Sequence, residues 1–234
     1  MLFHRKNSVR FEDPFFLLSR GLTRLFSIWV SLTYPFESRG RNLSIHWTSS
    51  LPRESARRIK LGNSVLIHKD AQVHVRAPLK KEGEPVIIID DRCVIEPRST
   101  ISARICIHLE HDVVVGPSVL IQDHTHGYED VSLPIRKQGV TEGGRIRIGP
   151  GCWIGQGAVI HCGSGELKLG PNCIVAPKAF ITRSFPQNSI ISGNPARVIG
   201  QVDRTNGVWV LESDRALDVE YTKPRNHVTG VVGS

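Results

Sequence analysis

No run of 18 apolar residues occurs in the 234-residue chain, so the sequence predicts no membrane-crossing helix. Aromatic residues are scarce, at 6 %, whereas glycine and proline number 21 and 14, a balance that favours many turns over long helices. No Cys-x-x-Cys pair is present. The five cysteines are odd in number and irregular in spacing, which excludes a disulfide framework and points to reduced thiols. Met1 to Arg10 lacks the short apolar core and small-residue cleavage site of a secretory signal, so a cytoplasmic location is expected. What remains is ordinary for a folded chain. Hydrophobic residues at 40 % and charged residues at 22 % rule out a disordered or collagen-like protein, and the length suits one sizeable domain or at most two small ones.

The net charge of +8 is concentrated at one end. Residues 1–60 hold 11 Lys and Arg against 4 Asp and Glu, while the other 174 hold 19 against 18. Within that basic segment Phe15, Phe16, Leu17, Leu18, Leu22, Leu25, Phe26, Ile28, Trp29, Val30 and Leu32 are apolar, broken by Arg20 and Arg24. Much of this fits one broad face of a helix. Two uses follow. Such a helix can pack as a cap on the next domain, which is the expected role, or residues 14–36 can touch an anionic membrane surface peripherally. No nucleic-acid motif accompanies the charge, so no nucleic-acid partner is expected.

The middle of the chain repeats with a period of six. Aliphatic residues recur at Leu61, Ile67 and Val73, at Ile89, Ile95 and Ile101, at Leu109, Val115 and Ile121, at Ile148, Ile154 and Ile160, and at Leu169, Val175 and Ile181. Six does not suit a helix, whose face repeats at 3.6 and 7, but it fits short extended segments joined by tight turns, each sending one aliphatic inward. Three segments close one triangular coil of about 18 residues, and coils stack about 4.8 Å apart. The sequence therefore predicts a mainly β, parallel β-solenoid. Cys93, Cys152 and Cys173 fall in the small inward slot and read as packing thiols. The largest break in register runs from Ile121 to Ile148 and opens with Asp123-His124-Thr125-His126-Gly127-Tyr128. A long excursion on a rigid scaffold is where chemistry is expected. The expected organisation is a partly helical basic segment over 1–60, a β-helix over 61–200 with a protruding loop at 122–147, and a tail over 201–234.

Four blocks carry a resemblance: Asp123 to Tyr128; Ile148-Gly149-Pro150-Gly151-Cys152-Trp153-Ile154-Gly155; Ile181-Thr182-Arg183-Ser184-Phe185-Pro186; and Ile191-Ser192-Gly193-Asn194-Pro195-Ala196-Arg197-Val198-Ile199. With the repeat, they make the stretch from about Ile89 to Ile199 resemble the hexapeptide-repeat acyltransferases. Within that family they are most like the sugar and polysaccharide O-acetyltransferases. The resemblance implies a left-handed parallel β-helix, a homotrimer with active sites between subunits, acetyl-CoA as co-substrate and no required metal. It also implies a sugar, oligosaccharide or lipid-linked glycan as acceptor.

Acetyl transfer from a thioester to a hydroxyl needs a base, donors for the developing oxyanion and a fixed thioester. His124 aligns with the family's catalytic histidine and is the expected base, with His126 its rival. In an extended segment the two would share a face. Asp123, Glu129 or Glu96 is suited to orient the imidazole, as a carboxylate does in a triad. The resemblance assigns the pantetheine arm to backbone amides around Trp153, Gly155 and Gln156 on one coil and Ala176 to Lys178 on the next. Pro177 interrupts that stretch because it has no N–H to donate. Lys178, Arg183 and Arg197 are the expected cations for the CoA phosphates. Glu96, Arg98 and Tyr128 are the expected acceptor-side residues. A zinc hydratase of the γ-carbonic anhydrase kind is the enzyme alternative, given His108, His111, His124, His126 and His161, although the His-x4-His pair of those enzymes is absent. The other alternative is a non-catalytic trimeric β-helix module.

Overall fold

Every six-residue unit becomes one short strand and one sharp corner. The computed structural model describes residues 14–76, 84–203 and 207–211, and its strands stack into three sheets that form the sides of a prism. Sheet A contains Ser38–Arg39, Ile59–Leu61, Ile87–Ile89, Cys106–Leu109, Arg145–Ile148 and Glu166–Leu169. Sheet B begins with Ser44–Ile45, Leu66–Ile67, Val94–Ile95, Val114–Val115, Trp153–Ile154 and Ile174–Val175. Sheet C contains Gln72–Val75, Thr100–Ala103, Leu120–Gln122, Val159–His161 and Phe180–Ile181. The chain visits A, then B, then C on each turn, and these strands pair in parallel.

The aliphatic repeat becomes three inward ladders. In sheet C, Val73, Ile101, Ile121, Ile160 and Ile181 stack directly and are fully buried. Equivalent ladders run from Leu61 to Leu169 in sheet A and from Ile45 to Val175 in sheet B. Cys93, Cys152 and Cys173 are buried in the slots expected for packing thiols. Burial pushes the Cys93 thiol up to about 12, and a hydrogen bond with Cys173, together with burial, pushes the Cys152 thiol up as well. Sharp corners need a left-handed residue. Asn42, Ser64, Arg92, Asp112 and Asn172 supply it between A and B, and Asp70, Arg98, Ser118, Gly157 and Lys178 supply it between B and C.

The solenoid begins earlier than its sequence repeat. Ser38–Arg39 pairs with Lys60 and Leu61, Ser44–Ile45 with Leu66 and Ile67, and Ser50 bridges Gln72. Arg39 stands where later coils carry an aliphatic, so the period is hidden in this first turn. At the other end Ser189–Ser192 continues sheet B, and Arg197–Asp203 and Val208–Leu211 add to it antiparallel. The expected tail therefore starts as sheet, and residues 212–234 lie outside the described residues, as do residues 1–13.

Helix α1 (Pro14–Thr33) crosses the N-terminal end of the prism. Among the described residues no strand pairs with the outer side of Ser44–Ile45, and Ser27 of α1 takes that place. Its Oγ accepts from the Ile45 N–H at 2.8 Å, and its one hydroxyl hydrogen is shared between the Thr23 carbonyl at 2.7 Å and the Ile45 carbonyl at 3.1 Å. Val30 is buried beside it, and Phe26, Tyr34 and Phe36 pack partly against the core. The cap is thus made by a narrow, mostly small and polar strip of α1. The broad apolar face expected to pack inward points outward instead: Leu18, Leu25 and Leu32 are 60, 66 and 75 % exposed. The side chain of Phe16 lies outside the described residues.

Candidate active site

Strand Leu120–Gln122 ends at the corner between sheets C and A. There the chain leaves the coil for an excursion that returns at Arg145, slightly shorter than the loop expected over 122–147. The root of the loop is closed by main-chain bonds: Gly144 N–H donates to Asp123 O at 2.7 Å, and Thr141 N–H donates to Thr125 O at 2.8 Å. Beyond the root the loop exposes Tyr128, Val131, Leu133 and Ile135.

Asp123 is fully buried at this root. Its carboxylate accepts the main-chain N–H of Arg104 at 2.8 Å, of Ile105 at 2.7 Å and of Cys106 at 3.0 Å, all from the corner of the preceding coil. The remaining bond goes to His124, whose Nδ1 lies 2.9 Å from Asp123 Oδ1. A carboxylate so placed only accepts, so Nδ1 carries the hydrogen and Nε2 is the nitrogen that can take a proton. The His124 main-chain carbonyl accepts from Gln122 Nε2 at 2.6 Å, which fixes the backbone as well. His124 is 7 % exposed. Of the three carboxylates open to this role in the sequence, Asp123 is the one bonded to the imidazole.

His126 does not share the burial of His124. It is exposed and bridges Val140 across the loop. The expectation of one shared face assumed a regular strand, but the strand ends at Gln122, and the amides of residues 104–106 hold Asp123 at the buried root.

Four further polar residues lie beside His124 without a motif to announce them. His74, Ser102, Gln122 and His161 stand in register on successive strands of sheet C. Each directly follows an inward aliphatic of the repeat, which is the signal that lining up the coils would have supplied. His74 is half-buried. Burial first, then Arg76 and His124, lower its proton affinity below that of an ordinary histidine.

Most residues expected to hold the cofactor, and two expected on the acceptor side, occupy a different edge. Glu96 and Arg98, Gly155 and Gln156, and Ala176 and Lys178 form a column of corners between sheets B and C. Gly155 is required by packing there, since a Cβ would lie 2.6 Å from both Val175 O and Pro177 N. The amide donors expected at this column are already engaged. Gly155 N–H bonds to Val175 O, Ala176 N–H to Ile191 O and Lys178 N–H to Gln156 O. What the column offers outward is the exposed Trp153 indole, Gln156 and the Lys178 ammonium. Arg183 lies on the same edge as His124, its guanidinium 4.9 Å from the Phe185 ring centroid, and Arg197 is exposed at the start of an antiparallel strand. Ser118 and His124 stand six residues apart along one side of the coil, so within one chain the corner column and His124 are separated by a coil side of at most about 20 Å. Among the described residues, no three of His, Cys, Asp or Glu gather as a metal site. His108 pairs with Asp90 at 2.7 Å and His111 with Asp112 at 2.9 Å.

Known proteins share this architecture. The N-acyltransferase AntD of Bacillus cereus, solved with dTDP and coenzyme A, superimposes with a TM-score of 0.61 over 76 % of this chain and 89 % of its own, at 16 % identity. The chain is thus a left-handed parallel β-helix of the hexapeptide-repeat kind. In sequence it is similar to curated acetyltransferases. It is 26 % identical to the Mycobacterium tuberculosis protein named Probable acetyltransferase Rv3034c, over 68 % of this chain, and spans 48 % of that relative's length. It is 25 % identical to galactoside O-acetyltransferase of Escherichia coli, over 70 % of this chain and 78 % of that enzyme. No family model matches it.

Proposed function

We propose that the protein transfers an acetyl group from acetyl-CoA to a hydroxyl of a sugar or polysaccharide precursor. The observation that carries this reading is the His124–Asp123 pair, with the carboxylate anchored by three main-chain amides and Nε2 left as proton acceptor. Nε2 of His124 removes the acceptor proton as its oxygen attacks the thioester carbon. The tetrahedral intermediate then collapses, the C–S bond breaks and the departing thiolate takes the proton back from His124. His126 and Tyr128, on the loop beyond, serve the acceptor with Glu96 and Arg98. Trp153, Gln156 and Lys178 serve the CoA through their side chains on the column that Gly155 and Ala176 shape, and Arg183 and Arg197 serve its phosphates from outside that column.

This division requires more than one chain. Groups at opposite ends of a coil side do not meet on one thioester, so His124 of one subunit works against the corner column of a neighbour in a homotrimer. The exposed apolar loop, with Val131 99 % exposed, suits such a contact. The compartment is the cytoplasm, where buried unpaired thiols stay reduced.

The test is an acceptor screen with acetyl-CoA, reading thiol release for free sugars, nucleotide sugars and amino sugars. Sugar-dependent release that His124→Ala abolishes is expected. Absence of both release and acetyl-CoA binding by calorimetry would defeat the reading, and turnover confined to amino sugars would move the acceptor to nitrogen.

A further inference from the structure

The outward face of α1 is apolar along its whole length. Leu18, Leu22, Leu25, Ile28, Trp29 and Leu32, spaced by three and four, are each at least 40 % exposed. Helices on soluble domains turn such a stripe toward the core. Here the core side is taken by Ser27 and Val30, and the stripe faces away from the β-helix.

Beside this face runs a groove of about 890 Å³ between α1 and the first coils. Its cationic and imidazole lining is Arg20, Arg24, Arg39, His46, His68 and Lys69, and among the described residues no Asp or Glu lines it. Ile28 and Leu32 belong both to the groove wall and to the apolar face, so the basic channel opens at the margin of the apolar stripe. A second copy seated on this face would bring these cations close to their own kind. An anionic membrane instead supplies acyl chains for the stripe and phosphates for the groove in the same plane.

We infer that α1 is a membrane-surface helix. Its outward leucines and Trp29 enter the headgroup–acyl boundary, and the groove lined by Arg24, Arg39 and Lys69 takes the phosphates of anionic phospholipids. The helix does not cross the bilayer, since among the described residues none is long and apolar enough to do so. The inference stands independently of the acetyl transfer proposed above, because its test reads no turnover.

The experiment is co-sedimentation of the full chain with vesicles of phosphatidylcholine alone and of an equal mixture with phosphatidylglycerol. The chain should pellet with the mixed vesicles, leave them as salt is raised, and show a blue shift in fluorescence that Trp29→Phe removes. Leu18→Ser with Leu25→Ser should weaken binding by about tenfold or more. Arg24→Gln with Lys69→Gln should weaken it similarly and erase the preference for anionic lipid. Melting curves check that both variants fold, and the salt and lipid arms on the unaltered chain decide the matter if either does not. Failure to pellet, equal binding to both vesicles, or binding indifferent to the leucine pair would overturn the inference. So would a leucine pair that lowers the oligomer mass while the unaltered chain ignores vesicles, which would make the face a contact between copies.

Discussion

At Asp123 one carboxylate does two jobs: it ties the loop root to the 104–106 corner and holds His124 in one tautomer. Both depend on its charge and geometry. His124→Ala should therefore lower kcat by about 10²- to 10⁴-fold, the size of general base catalysis, with little change in acetyl-CoA affinity by calorimetry. Asp123→Asn should lower kcat by a comparable factor because an amide can present the imidazole with a donor instead of an acceptor. His126→Ala, at an exposed position, should leave kcat within a few-fold of the parent. His74 makes a different prediction. Its folded-state proton affinity is lowered, chiefly by burial, whereas the unfolded chain binds the proton normally. Its contribution to stability is therefore complete above about pH 6.5 and lost as acid carries the pH below that value. His74→Gln should flatten the fall in melting temperature between about pH 7 and about pH 5.

Stacked strands solve the pairing problem for one another except at the ends, where an open edge invites association. Ser27 closes that edge at Ile45 with a single side chain. Ser27→Ala would leave the buried Ile45 N–H without its acceptor and remove the hydroxyl shared by the Thr23 and Ile45 carbonyls, at a cost of about 1–3 kcal/mol for the N–H left unpaired. A clear drop in melting temperature is expected by calorimetry, with no effect on the stacking of the later coils. How legible each element was depends on how far its cause lies along the chain. The ladder from Val73 to Ile181 could be read directly, since each unit repeats one local rule. The first coil could not, because Arg39 breaks the rule in a strand that, among the described residues, has no strand paired on its outer side. For α1 the helix was legible but its orientation was not: periodicity marks an apolar face without saying what stands opposite it.

For the whole molecule, separation of the His124 edge from the corner column makes assembly part of the proposed activity. Leu133→Asp with Ile135→Asp should weaken the assembly by about tenfold or more in sedimentation velocity, and the rate should fall with it. These side chains are exposed, so the single chain should keep its melting behaviour in dilute solution. By itself the sequence determined the coil, its inward aliphatic ladders, the packing thiols and the place where the chain leaves the coil. Those features follow from a period of six and from residues near one another along the chain. Only the tertiary structure decided that Asp123 holds His124, that His126 stands apart, that His74, Ser102, Gln122 and His161 line up beside the pair, and that α1 turns its apolar face outward. Each of these rests on groups brought together from other coils, such as the amides of residues 104–106 beneath Asp123 and the end strand at Ile45 beneath Ser27. Local pattern fixes what a side chain can do, but the stacking of distant segments fixes what it meets.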